Sequence, residues 1–309
     1  MTLLYQDAFF AAHETGSHPE RPLRVTRVAE HLEQTGYVDK CNCPAWQPAT
    51  EAELQLVHNP EYVLSVRQYA DDGGGRIETD TVVSDKSYAV ALRAAGAVCD
   101  AVKQVVGGEA QNALCLVRPP GHHALPKAAM GFCLFNNIAV AARLATQQLD
   151  LDRVLIVDWD VHHGNGTQDA FWADEQVGFF SIHRHPFYPG TGMADETGTG
   201  AALGTTRNVP VRFGTDRSEY FERFASELES FAAKIRPQLV LISAGFDSHR
   251  LDPIGSLGLE QEDFGQLTRH VLKIADEYAD GKTVSVLEGG YNVDVLPACI
   301  EQHLQVLLG

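Results

Sequence analysis

A pair of adjacent histidines, three aspartates and a tyrosine are the side chains in this sequence best suited to chemistry. His122-His123 follow Arg118-Pro-Pro-Gly121, a rigid run that presents both imidazoles together. A positioned imidazole of near-neutral pKa is the usual general base and acid, contributing roughly 10² to 10⁴ in rate. In Asp158-Trp-Asp160-Val-His162 the polar residues recur at every second position, so an extended segment puts Asp158, Asp160 and His162 on one face. Joined by Asp247, these groups can hold a divalent cation, and without one such a buried cluster is costly. The ligand types allow zinc, iron, cobalt or manganese. Three protein ligands leave an open position, which marks a catalytic rather than a structural metal. Such a metal lowers the pKa of a water from about 15.7 towards 7 and polarises a carbonyl. Tyr291, after Gly289-Gly290, offers a phenol to a developing oxyanion, and losing a donor of that kind typically costs about 10² to 10³ in rate. Asp158 and Asn165 are placed to orient the two histidine rings. The structural alternatives are a carboxylate–histidine loop staple, a capped loop histidine and a packed turn tyrosine. GxSxG, a Walker A loop and a helix-opening GxGxxG are all missing, so covalent and nucleotide chemistry find no support.

Positioning these groups falls to short apolar runs that alternate with helix-length segments. The runs Ala113–Val117, Val154–Val157, Val177–Ile182, Leu239–Ser243 and Thr283–Leu287 read as strands buried on both faces, with a possible edge strand at Leu3–Gln6. Helices are expected over Pro22–Gln34, Pro60–Tyr69, Ser87–Val106, Asn137–Gln148, Ser218–Lys234, Glu262–Tyr278 and Val293–Leu307, with Ser87 and Ser218 as N-caps. The alternation predicts one α/β domain over residues 1–309, with a mainly parallel sheet and helices on both faces. Each chemical cluster directly follows a strand, and open parallel sheets bind ligands outside the carboxyl ends of their strands. His183 and His185, also after a strand, are expected in loop or supporting roles, and His249 and Asp252 at a rim.

The composition is that of a folded globular chain: 309 residues, 44% apolar, 21% charged, with a net charge of −17. That charge repels nucleic-acid backbones and favours cationic partners. No apolar run is long enough to span a bilayer, and MTLLYQDAFF does not read as a secretory leader. The six cysteines are scattered with no CxxC pair, as expected of buried thiols in the reducing cytoplasm.

The motifs Arg118-Pro-Pro-Gly-His-His-Ala124, Asp158-Trp-Asp-Val-His-His-Gly-Asn-Gly166, Pro189-Gly-Thr-Gly192, Ala244-Gly-Phe-Asp247 and Glu288-Gly-Gly-Tyr-Asn292 together resemble the zinc-dependent histone deacetylase family. So do His18-Pro-Glu-Arg-Pro22 with Arg24, Gly131-Phe-Cys133 with Asn136, and Asn208-Val-Pro210. Asn165 and Glu288 bring the pattern closer to class II members than to class I. The resemblance implies the arginase/deacetylase fold, with a central sheet of about eight strands. It implies one catalytic zinc on Asp160, His162 and Asp247, with His123 as general base and then acid. His122, oriented by Asp158, would assist electrostatically, and Tyr291 would hydrogen-bond the scissile carbonyl. Gly131, Phe132 and Tyr188 would line the acyl-lysine channel, and Ile254 would occupy a rim position. His13 and His18 would lie on an N-terminal loop beside that pocket. A structural potassium would contact Asp158 and Ser181, with backbone oxygens of Asp160, His162 and Ile182.

The expected function is therefore an amidohydrolase that uses zinc-activated water to remove acetyl or other acyl groups from lysine side chains in proteins or peptides. The alternatives are deacetylation of acetylated small amines such as N-acetylpolyamines, and a non-catalytic acyl-lysine-binding module. Neither nucleic acid nor membrane is expected as a partner. At the rim, where polyamine-type relatives often carry an acidic gatekeeper, this chain has the apolar Ile254.

Overall fold

Runs of Val, Ile, Leu and Phe too apolar for a half-exposed sheet lie side by side and bury one another. A computed structural model describes residues 1–309. In chain order the elements are β1 (Thr2–Tyr5), α1 (Leu23–Gln34), α2 (Glu51–Leu54), α3 (Pro60–Asp71), the two-residue strands β2 (Gly75–Arg76) and β3 (Val82–Val83), and α4 (Ser87–Val106). There follow β4 (Asn112–Cys115), α5 (Asn137–Gln148), β5 (Val154–Asp158), α6 (Asn165–Phe171), β6 (Val177–Arg184), β7 (Thr206–Val211) and α7 (Arg217–Ile235). The chain ends with β8 (Leu239–Ala244), α8 (Gln261–Tyr278), β9 (Thr283–Leu287) and α9 (Leu296–Leu308).

Seven strands form one sheet in the order β1-β4-β9-β8-β5-β6-β7, and every neighbouring pair is parallel. All residues of β4, β5, β8 and β9 are buried. Two helix layers cover the sheet: α4 packs with α5, while α8 packs with α9, flanked by α1 and α7. Cys115, Val286, Ser243, Asp158 and Ser181 stand abreast in register, so the loops that follow them start from one line. The chain passes from β4 over β9 and β8 to β5 and returns later to fill the gap, the topology that opens a crevice at the carboxyl ends.

The sheet has seven strands where the resemblance implies about eight. The strand that the sequence pattern did not reveal is β7, Thr-Arg-Asn-Val-Pro-Val, whose Pro210 argues against a strand until its place at the sheet edge is known. Neither expected serine caps a helix. Lys86 precedes α4, and the Ser87 hydroxyl lies 2.6 Å from His13 Nδ1 while accepting the Ser84 N–H. For α7 the N-cap is Asp216, two residues before Ser218.

The segment before α1 is fastened to the sheet by a buried ion cluster. The Glu20 carboxylate accepts from Arg118 Nε (2.5 Å) and Arg24 Nη1 (3.1 Å), and all three residues are at most 1% exposed. Arg118 also donates to the carbonyls of Phe10 and His13, and Arg24 to those of Glu288 and Gly290. Burial works against the Glu20 charge, but Arg118, His13 and Arg24 together outweigh it and bring the carboxyl down to about 2. Removing one partner of a buried pair strands the other. Glu20→Gln should therefore lower the unfolding free energy by about 3 to 5 kcal/mol in urea titrations at pH 7. Because the folded pKa lies below the ordinary 4.5, this stabilisation is complete above pH 4.5 and fades as pH falls towards 2. Wild type and variant should converge in acid, and a constant difference across that range would contradict the assignment.

Candidate active site

The strand β5 ends at Asp158, and the chain then bends rather than continuing extended, so Asp158 separates from the two residues expected beside it. Asp158 turns to the histidine pair, whereas Asp160 and His162 meet Asp247 from the loop after β8. His162 Nδ1 lies 3.0 Å from Asp160 Oδ1 and 3.1 Å from Asp247 Oδ2. The three ligand atoms sit within 4.8 Å of one another, all buried. Main-chain N–H groups hold the outer oxygens: Gly289 N–H donates to Asp160 Oδ2 (2.8 Å) and Val161 N–H to Asp247 Oδ1 (3.0 Å). The His162 ring hydrogen-bonds Asp160, so Asp247 Oδ2 is left beside it at 3.1 Å with no hydrogen bond of its own. Gly289 has to be glycine, because a Cβ there would run into both carboxylates.

Charge is crowded here. Burial, followed by the Asp160 carboxylate, pushes Asp247 up to about 7. Burial also opposes a charged His162, yet its bond to Asp160 and the Asp247 carboxylate beside it together outweigh that and raise it to about 9. The donors gathered here, two carboxylates and one imidazole nitrogen, suit a divalent cation.

Both histidines of the pair are buried, with ring centroids 4.0 Å apart. His122 Nδ1 donates to Asp158 Oδ2 (2.9 Å). Burial disfavours its charge, but Asp158 and then Asp160 overcome this and raise it to about 10. His123 differs. Its Nδ1 donates to the amide oxygen of Asn165, the first residue of α6, at 2.7 Å. Burial and the neighbouring His122 and His162 hold its pKa well below the ordinary value, so it is neutral at pH 7. With Nδ1 carrying the proton, Nε2 is free to accept one.

Aromatic rings pack around this pair and its neighbours. The Phe132 ring stands edge-on to Tyr291 (5.6 Å) and to His18 (4.5 Å), and Tyr188 stands edge-on to His123 (5.3 Å). Phe187 stacks on His162 at 5.2 Å. Gly131 has φ +56°, and a side chain there would strike the His123 ring. Tyr291 is buried, and burial raises its phenol well above the ordinary pKa, so it remains a donor.

Of the expected residues, Asp160, His162, Asp247, His122, His123, Asp158, Asn165, Tyr291, Gly131, Phe132 and Tyr188 converge on this crevice. Ser181 and Ile182 lie beside it on β6, and the Ser181 hydroxyl bonds His183 Nδ1 (2.9 Å). Ile254 is half-buried on a separate turn, with its N–H on Asp252. His183 and His163 brace the loop after Tyr188 through the Gly192 carbonyl and the Thr191 hydroxyl. Asp80 and Thr81 escaped the sequence reading, and Asp252, expected at a rim, is buried. Asp252 Oδ2 accepts the N–H groups of Tyr291 and Asn292. Asp80 and Thr81 accept those of Gly131 and Phe132, fixing the turn that carries the Phe132 ring.

Residues 18–307 match the Histone deacetylase domain family. A probable deacetylase of Archaeoglobus fulgidus is 36% identical over 294 residues, spanning 94% of this chain and 81% of that protein. Histone deacetylase 15 of Arabidopsis thaliana is 39% identical over 297 residues, or 94% of this chain and 53% of its own length. The crystal structure of the HDA15 HD domain superposes with a TM-score of 0.94 and 38% identity, covering all of this chain and 89% of the other. This chain belongs to the histone deacetylase family. Deacetylation is the activity that the family and these relatives support.

Asp247→Asn should weaken binding of Zn²⁺ by more than about 100-fold, since even residues behind a metal ligand typically contribute 10- to 100-fold. Equilibrium dialysis with metal analysis measures this, and a variant that loads like wild type would remove Asp247 from the ligand set.

Proposed function

We propose that the chain is a zinc-dependent amidohydrolase that removes acetyl groups from lysine side chains of proteins or peptides. The observation that carries this reading is the buried Asp160–His162–Asp247 set, whose ligand atoms lie within 4.8 Å of one another, beside the His122-His123 pair and the Tyr291 phenol. The donor set fits zinc, held by one oxygen of each carboxylate and His162 Nδ1. When bound, zinc acidifies a water and polarises the acyl carbonyl.

The protein groups supply the rest. His123 Nε2 takes the proton from the attacking water, its tautomer set by Asn165. The Tyr291 hydroxyl donates to the carbonyl oxygen as negative charge grows on it. His122, held charged by Asp158, stays protonated and stabilises that charge from behind. His123 then returns its proton to the nitrogen as the carbon–nitrogen bond breaks, giving acetate and a free amine. Phe132, edge-on to Tyr291, and Tyr188, edge-on to His123, would offer apolar walls to a neutral acylated amine on a slim alkyl stem.

A potassium ion bound by Asp158, the Ser181 hydroxyl and the backbone oxygens of Asp160, His162 and Ile182 belongs to the same proposal. Its support is that Asp158 and Ser181 stand abreast on β5 and β6 beside the metal-ligand segment, which together offer hard oxygen donors.

On an acetyl-lysine peptide, His123→Ala should lower kcat by about 10² to 10⁴, and Tyr291→Phe by about 10² to 10³. Both variants should melt within a few degrees of wild type, and full turnover in either would sink its assigned role. A panel of acetyl-lysine peptides, acetylputrescine and acetylspermidine should favour the peptides in kcat/KM. Preference for the polyamines would replace the substrate, and no acetate from any of them with Zn²⁺ supplied would overturn the enzyme reading.

A further inference from the structure

Glu288 is a buried carboxylate that none of the steps above uses. It is fully buried, and its side chain takes three hydrogen bonds, none from a lysine or arginine. Oε2 accepts the N–H groups of Gly121 (2.7 Å) and His122 (3.2 Å), and Oε1 accepts the Ser243 hydroxyl (3.0 Å). Its own backbone is pinned on both sides, with N–H on the Ala244 carbonyl and C=O under Arg24. One side chain thus ties the loop after β4 to the ends of β8 and β9.

The following residues sharpen the point. The Gly289 N–H holds the ligand Asp160, the Gly290 carbonyl receives Arg24 Nε, and the Tyr291 N–H is held by Asp252. The distance from the His122-His123 loop to the phenol and to Asp160 is therefore set within four consecutive residues. On the loop's side Gly121 and His122 send both their N–H groups to the Glu288 carboxylate, while the His122 carbonyl accepts the Thr167 N–H from α6.

Resting on the deacetylase reading above, we propose that Glu288 is a positioning residue that fixes the His122-His123 backbone relative to Tyr291 and the metal ligands. The task is geometric. A glutamine can accept both N–H groups with its oxygen and donate its NH₂ to the Ser243 oxygen. An aspartate, one methylene shorter, cannot reach, and an alanine leaves both N–H groups buried and unpaired.

The test compares Glu288→Gln, Glu288→Asp and Glu288→Ala in the zinc-loaded full chain. A misplacement of about 1 Å is worth roughly 10² in rate. Glu288→Ala and Glu288→Asp should thus lose about 10²-fold in kcat on whichever acyl substrate wild type turns over, with KM within about threefold. Glu288→Gln should stay within about tenfold of wild type. Amide hydrogen exchange, which needs no substrate, gives the second readout. Exchange at Gly121 and His122 should quicken by about tenfold or more in the Asp and Ala variants, but not in Gln, while β8 and β9 keep their protection. Wild-type kcat in folded Asp or Ala variants, a Gln variant as slow as Ala, or exchange rising evenly through the sheet would each overturn the proposal. If the Ala variant does not fold, the Asp and Gln pair decides alone. A wild type inert on every acyl substrate would overturn the deacetylase reading, whereas the exchange comparison would still show whether Glu288 holds the loop.

Discussion

Four carboxylates, Asp158, Asp160, Asp247 and Glu288, are buried within one crevice, and everything around them answers the cost of keeping negative charge away from water. Asp158 is answered by His122 and Glu288 by two main-chain N–H groups and a hydroxyl. Asp160 and Asp247 share a single imidazole, which hydrogen-bonds Asp160 and leaves Asp247 Oδ2 with a 3.1 Å approach but no hydrogen bond of its own. That residual demand is best met by a cation. The other half of the requirement, keeping one base uncharged amid so much acid, falls to His123, which faces a neutral amide instead of a carboxylate.

The sheet makes this arrangement affordable in conformational terms. Five strand ends stand level, so five loops can each deliver one or two polar groups without long excursions. The loops are stiffened from outside: Asp252 under Tyr291, Asp80 and Thr81 under the turn that carries Phe132, and the Glu20–Arg118–Arg24 cluster under both the histidine loop and the Glu288–Gly290 segment. Preorganised donors and acceptors need not reorganise while charge moves, which is where such sites gain most of their rate.

Much of this was legible in the residues alone. Buried strands announce themselves as unbroken aliphatic runs, and α4 and α5 occupy the segments that the pattern predicts. The chemical groups were legible because they cluster at strand ends. What stayed hidden has a common cause: it depends on partners far away in sequence. Pro210 conceals β7 until an edge position excuses it, and Ser87 has the look of a cap while its hydroxyl serves His13 and the Ser84 N–H. The bend after Asp158, which sends that carboxylate to His122 rather than to the ligand set, has no periodic signature. Asp80, Thr81 and Asp252 work through backbone contacts 39 to 51 residues distant, which local pattern does not encode.

The turns at Gly107-Gly108 and Asp280-Gly281 lead into the opposite, amino-terminal ends of β4 and β9, and a side chain on Gly108 would meet only open space. The two rims of the sheet therefore differ in what they can accommodate. The carboxyl rim carries the buried polar cluster, whereas at Gly108 on the amino rim an insertion or an engineered reporter meets open space about 15 to 20 Å away, the length of a strand of this size.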